Sequence, residues 1–405
     1  MKIKQLLILF FMCSSSAAFS QNRYSNLPKV ELHLHLDCSL SYECVKQLSP
    51  SVTLEDYNNS FIAPPKCTDL ADYITRAIKG FELMQTKEQL RLVTLDLFKQ
   101  LKNDNVVYAE FRFAPLQHTL KGLTSEEVVQ IVNEATEEGI KLYGVEAGII
   151  LCTLRHYTQA QSMETVELAK KFKGSHVIGF DIAADEAGFP IDNHIKAFDF
   201  ANMNEIKCTA HAGEARGAES VWETLKNFKP SRIGHGVRSF EDIKLLDFLK
   251  ENDIHLEICP TSNVQTNVID KIENHPIDKI YKYGVSLSVN TDARTISNVS
   301  LSSEYKLLNQ KFNWDLSYFK KCNLEAIKHA FASIEVKKRV IDLSASSLPG
   351  TTYSIPVGSQ LVSVIATTGI PNFLASFTAI LSLFGSIIKI APGIFFIFLI
   401  PPRFL

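Results

Sequence analysis

Four short stretches carry side chains able to do metal-assisted chemistry: His33-Leu34-His35, His211-Ala212-Gly213-Glu214, Gly234-His235-Gly236 and Asn290-Thr291-Asp292. Side chains alternate along a strand, so the two imidazoles of His33-x-His35 fall on one face. If that face lines the mouth of a barrel, both reach one metal ion. A His-x-His pair is weak by itself, because two half-buried strand histidines would also explain it. Its weight comes from three further clusters, each placed at the end of an apolar run.

Nitrogen and oxygen donors without thiolates suit zinc, with iron, cobalt or manganese as substitutes. Three imidazoles and one carboxylate leave room for a water, and zinc lowers the pKa of such a water toward about 7. Hydrolysis then needs a base for the water's proton and an acid for the leaving group. Glu214, just past His211 and preceded by the flexible Gly213, is placed to hand a proton to the substrate. His235 is a candidate to orient or deprotonate the water and to stabilise a developing oxyanion. Asp292 is a candidate to bind zinc and share the proton.

These residues need a scaffold that brings distant strand ends together. Short β-branched runs recur at 30–36, 106–113, 146–152, 177–182, 207–210, 232–234, 254–259 and 285–290. Runs of that length and composition read as parallel strands buried on both faces. Helical periods lie between them. Thr124-Ser125-Glu126-Glu127 opens one helix with a cap and first-turn acids. Residues 240–249 form another, with Ile243, Leu245, Leu246, Phe248 and Leu249 as its buried stripe. Eight strands alternating with helices predict an α/β fold, a (β/α)8 TIM barrel, with residues 37–88 as a helical insertion after strand 1. Barrel active sites sit at the carboxyl ends of the strands, where the four clusters fall.

In order along the chain, the segments Pro28 to Asp37, Tyr108 to Pro115, Leu154-Arg155-His156, Asp181-Ile182-Ala183, His211 to Glu214, Arg232 to Gly236, Cys259-Pro260-Thr261-Ser262-Asn263 and Asn290-Thr291-Asp292 resemble the adenosine deaminase family of metal-dependent barrel hydrolases. The resemblance runs from about Leu27 to Leu343. It implies one Zn²⁺ per chain held by His33, His35, His211 and Asp292. It implies Glu214 protonating purine N1, His235 assisting the activated water at C6, and His35, Asp37 and the backbone of Ala184 contacting substrate, with Asp37 near the ribose. The product pair would be inosine and ammonia. Three positions depart from the family pattern. Cys38 and Ala184 stand where glycine is usual, and Ala293 stands where a second Asp would meet N7. They leave the base open: adenosine or deoxyadenosine, another aminopurine, or an N6-substituted nucleoside. A low-turnover nucleoside-binding protein is a further alternative, against which the intact Glu214 and His235 argue.

A formal net charge of −2 on 405 residues excludes a polyanion-binding surface as the main function, so the partner is a small purine nucleoside and not nucleic acid. Residues 1–20 read as a signal peptide: Lys2 and Lys4, the apolar Leu6 to Met12, then the cleavage site Ala18-Phe19-Ser20. Export to a periplasmic or extracellular space follows as an expectation. The seven cysteines after Cys13 form no C-x-x-C pair and read as unpaired; Cys152, Cys208 and Cys259 read as small buried hydrophobes. The deaminase domain is expected over 21–343. Residues 344–405 carry only Lys389 and Arg403 as charges, and 361–400 is mostly apolar, with Phe373 to Ile388 as the best helix candidate. This tail reads as a membrane anchor or hairpin, an apolar docking segment, or sequence foreign to the domain. In the anchor reading, the protein is a membrane-tethered module.

Overall fold

The computed structural model describes residues 24–346 and, beyond them, the strands Thr352–Val357, Gln360–Ile365, Ile388–Ala391 and Ile394–Phe396. The proposed signal at 1–20 and nearly all of the helix expected over 373–388 lie outside the described residues. Backbone contacts divide the chain after Ala332 into two units.

The first unit holds eight parallel strands: β1 (Lys29–His35), β2 (Val106–Phe113), β3 (Glu146–Leu154), β4 (Val177–Ala183), β5 (Thr209–Ala212), β6 (Arg232–His235), β7 (His255–Ile258) and β8 (Leu287–Val289). They form two four-stranded sheets in the orders β1-β2-β3-β4 and β5-β6-β7-β8. Two seams join the sheets into a barrel. At one, the bridge Phe180↔Cys208 is held by Phe180 N–H donating to the Lys207 carbonyl. At the other, His35 N–H donates to Asp292 O (2.7 Å) and Asp292 N–H to His33 O (3.0 Å). Asn290 adds its side-chain oxygen as an acceptor for Leu32 N–H at 2.9 Å. The second seam thus fixes three of the ionisable residues named above relative to one another.

All eight expected strands form, within a few residues of their expected bounds. Their two faces differ, however. Leu32, Leu34, Phe111 and Phe113 are buried and apolar, while the alternate positions Glu31, His33, Glu110 and Arg112 are buried and charged or polar. Such groups are tolerated only when paired. Arg112 pairs with Asp181 (2.6 Å) and Glu257 (2.8 Å), and Arg232 with Glu110 and Glu257 (2.7 Å each). Removing one partner from such a network costs about 3–5 kcal/mol.

Helices cover the outside. Ser125–Tyr143 begins with a complete capping box between Thr124 and Glu127, as the acids there suggested. Ile243–Glu251 starts later than expected, and Ile243 is 57% exposed. At about 100° per residue, Leu245, Leu246 and Leu249 share one face and Ile243 falls away from it. After β1, the insertion is helical: Tyr42–Leu48, Leu54–Ser60, Leu70–Ile74 and Ala77–Glu82 precede the long helix Lys87–Asn103. The seven cysteines of the described chain are free, and Cys152, Cys208 and Cys259 are buried.

The second unit contains the helix Ile334–Ser346 and two antiparallel strand pairs, Thr352–Val357 with Gln360–Ile365 and Ile388–Ala391 with Ile394–Phe396. No helix among the described residues is long and apolar enough to cross a membrane.

Candidate active site

At the carboxyl ends of the strands, His33, His35, His211 and Asp292 converge, each with a ligand atom within 4.8 Å of the others. His35 Nε2 and His211 Nε2 lie 3.2 Å apart, and both His33 Nε2 and His35 Nε2 lie 3.5 Å from Asp292 Oδ1. Gly234 makes this possible, since a Cβ there would stand 3.0 Å from His33 Cε1 and 3.1 Å from His211 Nδ1. His235 and Asp292 adopt φ of 59° and 62°, left-handed backbone that costs about 1–3 kcal/mol and concentrates at functional sites.

The donor set fits a divalent cation. His33 Nδ1 bonds to Glu257 (2.8 Å) and His211 Nδ1 to Asp181 (3.0 Å). Each carboxylate selects the Nδ1–H tautomer and turns the Nε2 lone pair inward. His33 Nε2 is fully buried without a hydrogen-bond partner, as suits a nitrogen that ligates a cation. Burial holds His35 well below the usual imidazole range and lowers His211 as well, so both stay neutral. Burial opposes ionisation of Asp292, but the imidazoles of His235, His35 and His33 around it hold its carboxyl well below the usual range. Ser262 Oγ donates to its other oxygen at 2.6 Å.

Beside the cluster, Glu214 Oε1 lies 3.6 Å from His235 Nε2, buried and without a hydrogen-bond partner. Burial, then the charges of Asp292 and Glu186, push its carboxyl well above the usual range. Its loop is held from below. Glu186 Oε1 accepts from Gly213 N–H at 2.8 Å, and Oε2 from the N–H groups of Glu214, Ala215 and Arg216 at 2.6–2.9 Å. Gly213 turns the chain there at φ 65°, where a Cβ would meet Val221 Cγ2 at 2.5 Å.

A cavity of about 370 Å³ opens over these groups. Its floor holds His35, His211, His235, Glu214 and Asp292; Asp37, Cys38, Ala183, Ala184 and Ala293 line the sides, and Leu70, Ile74, Ile78 and Phe81 come from the insertion. Burial raises Asp37 to about 6. His118 Nε2 faces its carboxylate at 3.9 Å. Ala184 has φ 79°, the backbone of a glycine. Ala293 packs in an apolar cluster with Leu70, Tyr73 and Ile296.

Of the site residues singled out in the sequence, His35, Asp37, Ala184, His211, Glu214, His235 and Asp292 line this cavity, while His33 is fully buried and joins only the donor cluster. Sequence reading missed Glu257, Glu186, His118 and His275, and gave no task to Asp181, Ser262 or Asn263. A signal existed for Glu257: a lone acid inside the apolar run 254–259 must have a buried partner. Glu186 and His275 had no comparable mark.

The fold and donor set define a metal-dependent (β/α)8-barrel hydrolase. The chain belongs to the adenosine deaminase family, whose model, described as Adenosine deaminase, matches residues 28–346. It is 38% identical over 323 residues to an adenosine deaminase of Clostridium acetobutylicum, covering 78% of this chain and 96% of that one. The crystal structure of an Arabidopsis N6-mAMP deaminase is 25% identical with a TM-score of 0.71, covering 80% of this chain and 99% of that one. A zinc-bound amidohydrolase from Burkholderia ambifaria shares the fold at 20% identity, with a TM-score of 0.73 over 80% of this chain and 91% of that one.

Proposed function

We propose that this protein is a zinc-dependent deaminase that hydrolyses adenosine and deoxyadenosine to inosine and ammonia. As a member of its family it is a hydrolase of a purine amidine C–N bond. The observation that carries the reading is the convergence of His33, His35, His211 and Asp292 beside a buried Glu214 whose carboxyl is pushed well above the usual range. Those four residues would hold one Zn²⁺, which when bound makes water acidic enough to ionise near neutral pH.

The chain's own groups supply the remainder. Glu214 gives its proton to purine N1, which makes C6 electron-poor. His235 meets the oxygen that adds to C6, and Asp292 shares a proton that this oxygen sheds. Of the two protons this oxygen sheds, one returns to Glu214 and one goes to the departing amino group, so ammonia leaves and the C6 oxygen remains as the carbonyl of inosine. His35, Asp37 and the backbone of Ala184 line the substrate's place. Among the described lining residues none is a lysine or arginine, and the outer wall is apolar. A phosphate dianion would need cations there, so a nucleoside fits better than a nucleotide. Loss of the ultraviolet absorbance of adenosine over time, with full-length protein and zinc present, tests the reading. No conversion by metal-loaded protein would overturn it and direct attention to N6-substituted purines, which Ala293 and Cys38 favour over a binding-only role.

We also propose export, resting on residues 1–20; a secreted chain starting near Gln21 is the expected result, and an intact N-terminus in the cytosol the contrary one. Membrane association through 361–400 rests on composition alone. Equal partitioning into vesicles with and without residues 344–405 would reject it.

A further inference from the structure

His235 can act on the attacking oxygen in two ways, as a base through a bare Nε2 or as a donor through Nε2–H. Its neighbours decide between them. The helix Ile277–Tyr283 begins with N–H groups that have no partner inside the helix. One of them, Ile277 N–H, donates to His275 Nδ1 at 3.1 Å. A backbone N–H is a donor without ambiguity, so His275 Nδ1 is an acceptor. The ring's proton then lies on Nε2, which faces Asn263 Oδ1 at 3.2 Å. Asn263 must present its oxygen to that proton, and its Nδ2–H group consequently donates to His235 Nδ1 at 3.0 Å. With Nδ1 occupied as an acceptor, a neutral His235 carries its proton on Nε2. All three side chains are at most 2% exposed, so the chain of hydrogen bonds is shielded from bulk solvent. Burial also lowers His275 to about 3, consistent with a neutral ring.

We propose that Asn263 and His275 are positioning residues that lock His235 in the Nε2–H tautomer, so that it offers the attacking oxygen a hydrogen-bond donor and not a base. His235 then steadies the oxygen and takes no proton from it. The proton passes to Asp292, the carboxylate on the other side of the cluster. This inference rests on the assignment of His235 to the reaction in the proposed function.

The test pairs a spectroscopic with a kinetic measurement on the full-length, zinc-loaded protein. In wild-type protein labelled with ¹⁵N-histidine, the His235 resonances, identified by their loss in His235→Ala, should show a protonated Nε2 and a bare Nδ1. A bare Nε2 would overturn the proposal. Asn263→Asp keeps shape but replaces the donor by an acceptor, which selects the opposite tautomer; turnover should fall about 10²- to 10⁴-fold. KM should stay within about threefold and zinc at about one per chain. Asn263→Ala frees the tautomer and should cost less than Asn263→Asp. A merely structural Asn263 predicts the reverse order, with the near-isosteric Asp milder, and that order would also overturn the proposal. Should Asn263→Asp fail to fold, the wild-type spectrum decides. Should wild-type protein not deaminate adenosine at all, the activity assignment fails while the spectrum still reads the tautomer.

Discussion

The backbone N–H of Glu214 donates to the side chain of Glu186 across 2.9 Å, so one buried acid holds the other in place. Ser220 Oγ adds a further bond to the same carboxylate at 2.5 Å, and Arg155 Nη2 approaches at 3.9 Å. Glu186 therefore fixes the loop that carries the proton donor, and its charge adds to burial and Asp292 in raising that donor's carboxyl.

Glu186→Gln loses a charge and turns an amide N–H toward Gly213 N–H. We expect kcat to fall about 10- to 100-fold, the cost of misplacing a reacting group by a fraction of an ångström to about 1 Å. The alkaline limb of the kcat profile should also move to lower pH, because Glu186 is one of the charges that raise Glu214, after burial and Asp292. A pH–rate profile identical to wild type would refute the coupling.

Glu214 must be protonated to act as the acid, and its carboxyl is pushed well above the usual range. Ionisation of Glu214 should therefore set the alkaline limb, with activity lost as pH rises through the raised value. Glu214→Gln should keep its zinc and lose about 10²- to 10⁴-fold in kcat. Steady-state kinetics with metal analysis checks this; near-full turnover would remove Glu214 from the mechanism.

Ala184 occupies φ 79°, where an L side chain is strained and glycine is not. Ala184→Gly should raise stability by about 1 kcal/mol, the order of the left-handed penalty, or about 2 °C in Tm for a chain of this size. It also removes a methyl from the cavity wall, so KM for adenosine should fall. Thermal unfolding gives the first result and initial rates the second; a lowered Tm would mean the backbone is relaxed as it stands.

Ala293 sits among Leu70, Tyr73 and Ile296, and the Tyr73 hydroxyl is bonded to Ser297 Oγ at 2.6 Å. If purine N7 lies here, as the family resemblance implies, Ala293→Asp should restore a hydrogen bond worth about 1–3 kcal/mol, or about 10- to 100-fold in kcat/KM for adenosine. An unchanged or lower value would show that the apolar wall suits the natural base and that N7 recognition is not what this chain lacks.

Much of this was legible in the sequence because it depends on local rules. Apolar runs marked the eight strands, and alternation placed His33 and His35 on one face. The position of Glu214, His235 and Asp292 at strand ends followed from the same segmentation. What stayed hidden depends on partners far apart in the chain. Glu257 is 224 positions from His33, and Glu186 is 28 from Glu214; no periodicity links such pairs. The charged barrel interior was missed for a related reason: reading the strand runs as uniformly apolar overlooked Glu110, Arg112, Glu257 and Arg232, which are buried only because they neutralise one another. Ile243 shows the opposite error, an apolar residue assigned to a stripe that its helical angle does not reach.

The account stands on the claim that His33, His35, His211 and Asp292 hold the metal at which adenosine is deaminated. We would measure bound zinc and adenosine turnover together, on wild-type protein stripped by chelation and then titrated with zinc, and on His211→Ala. The account predicts that turnover rises in proportion to zinc up to about one ion per chain and that His211→Ala loses both. Full turnover in the stripped protein, or unchanged zinc and activity in His211→Ala, would contradict it.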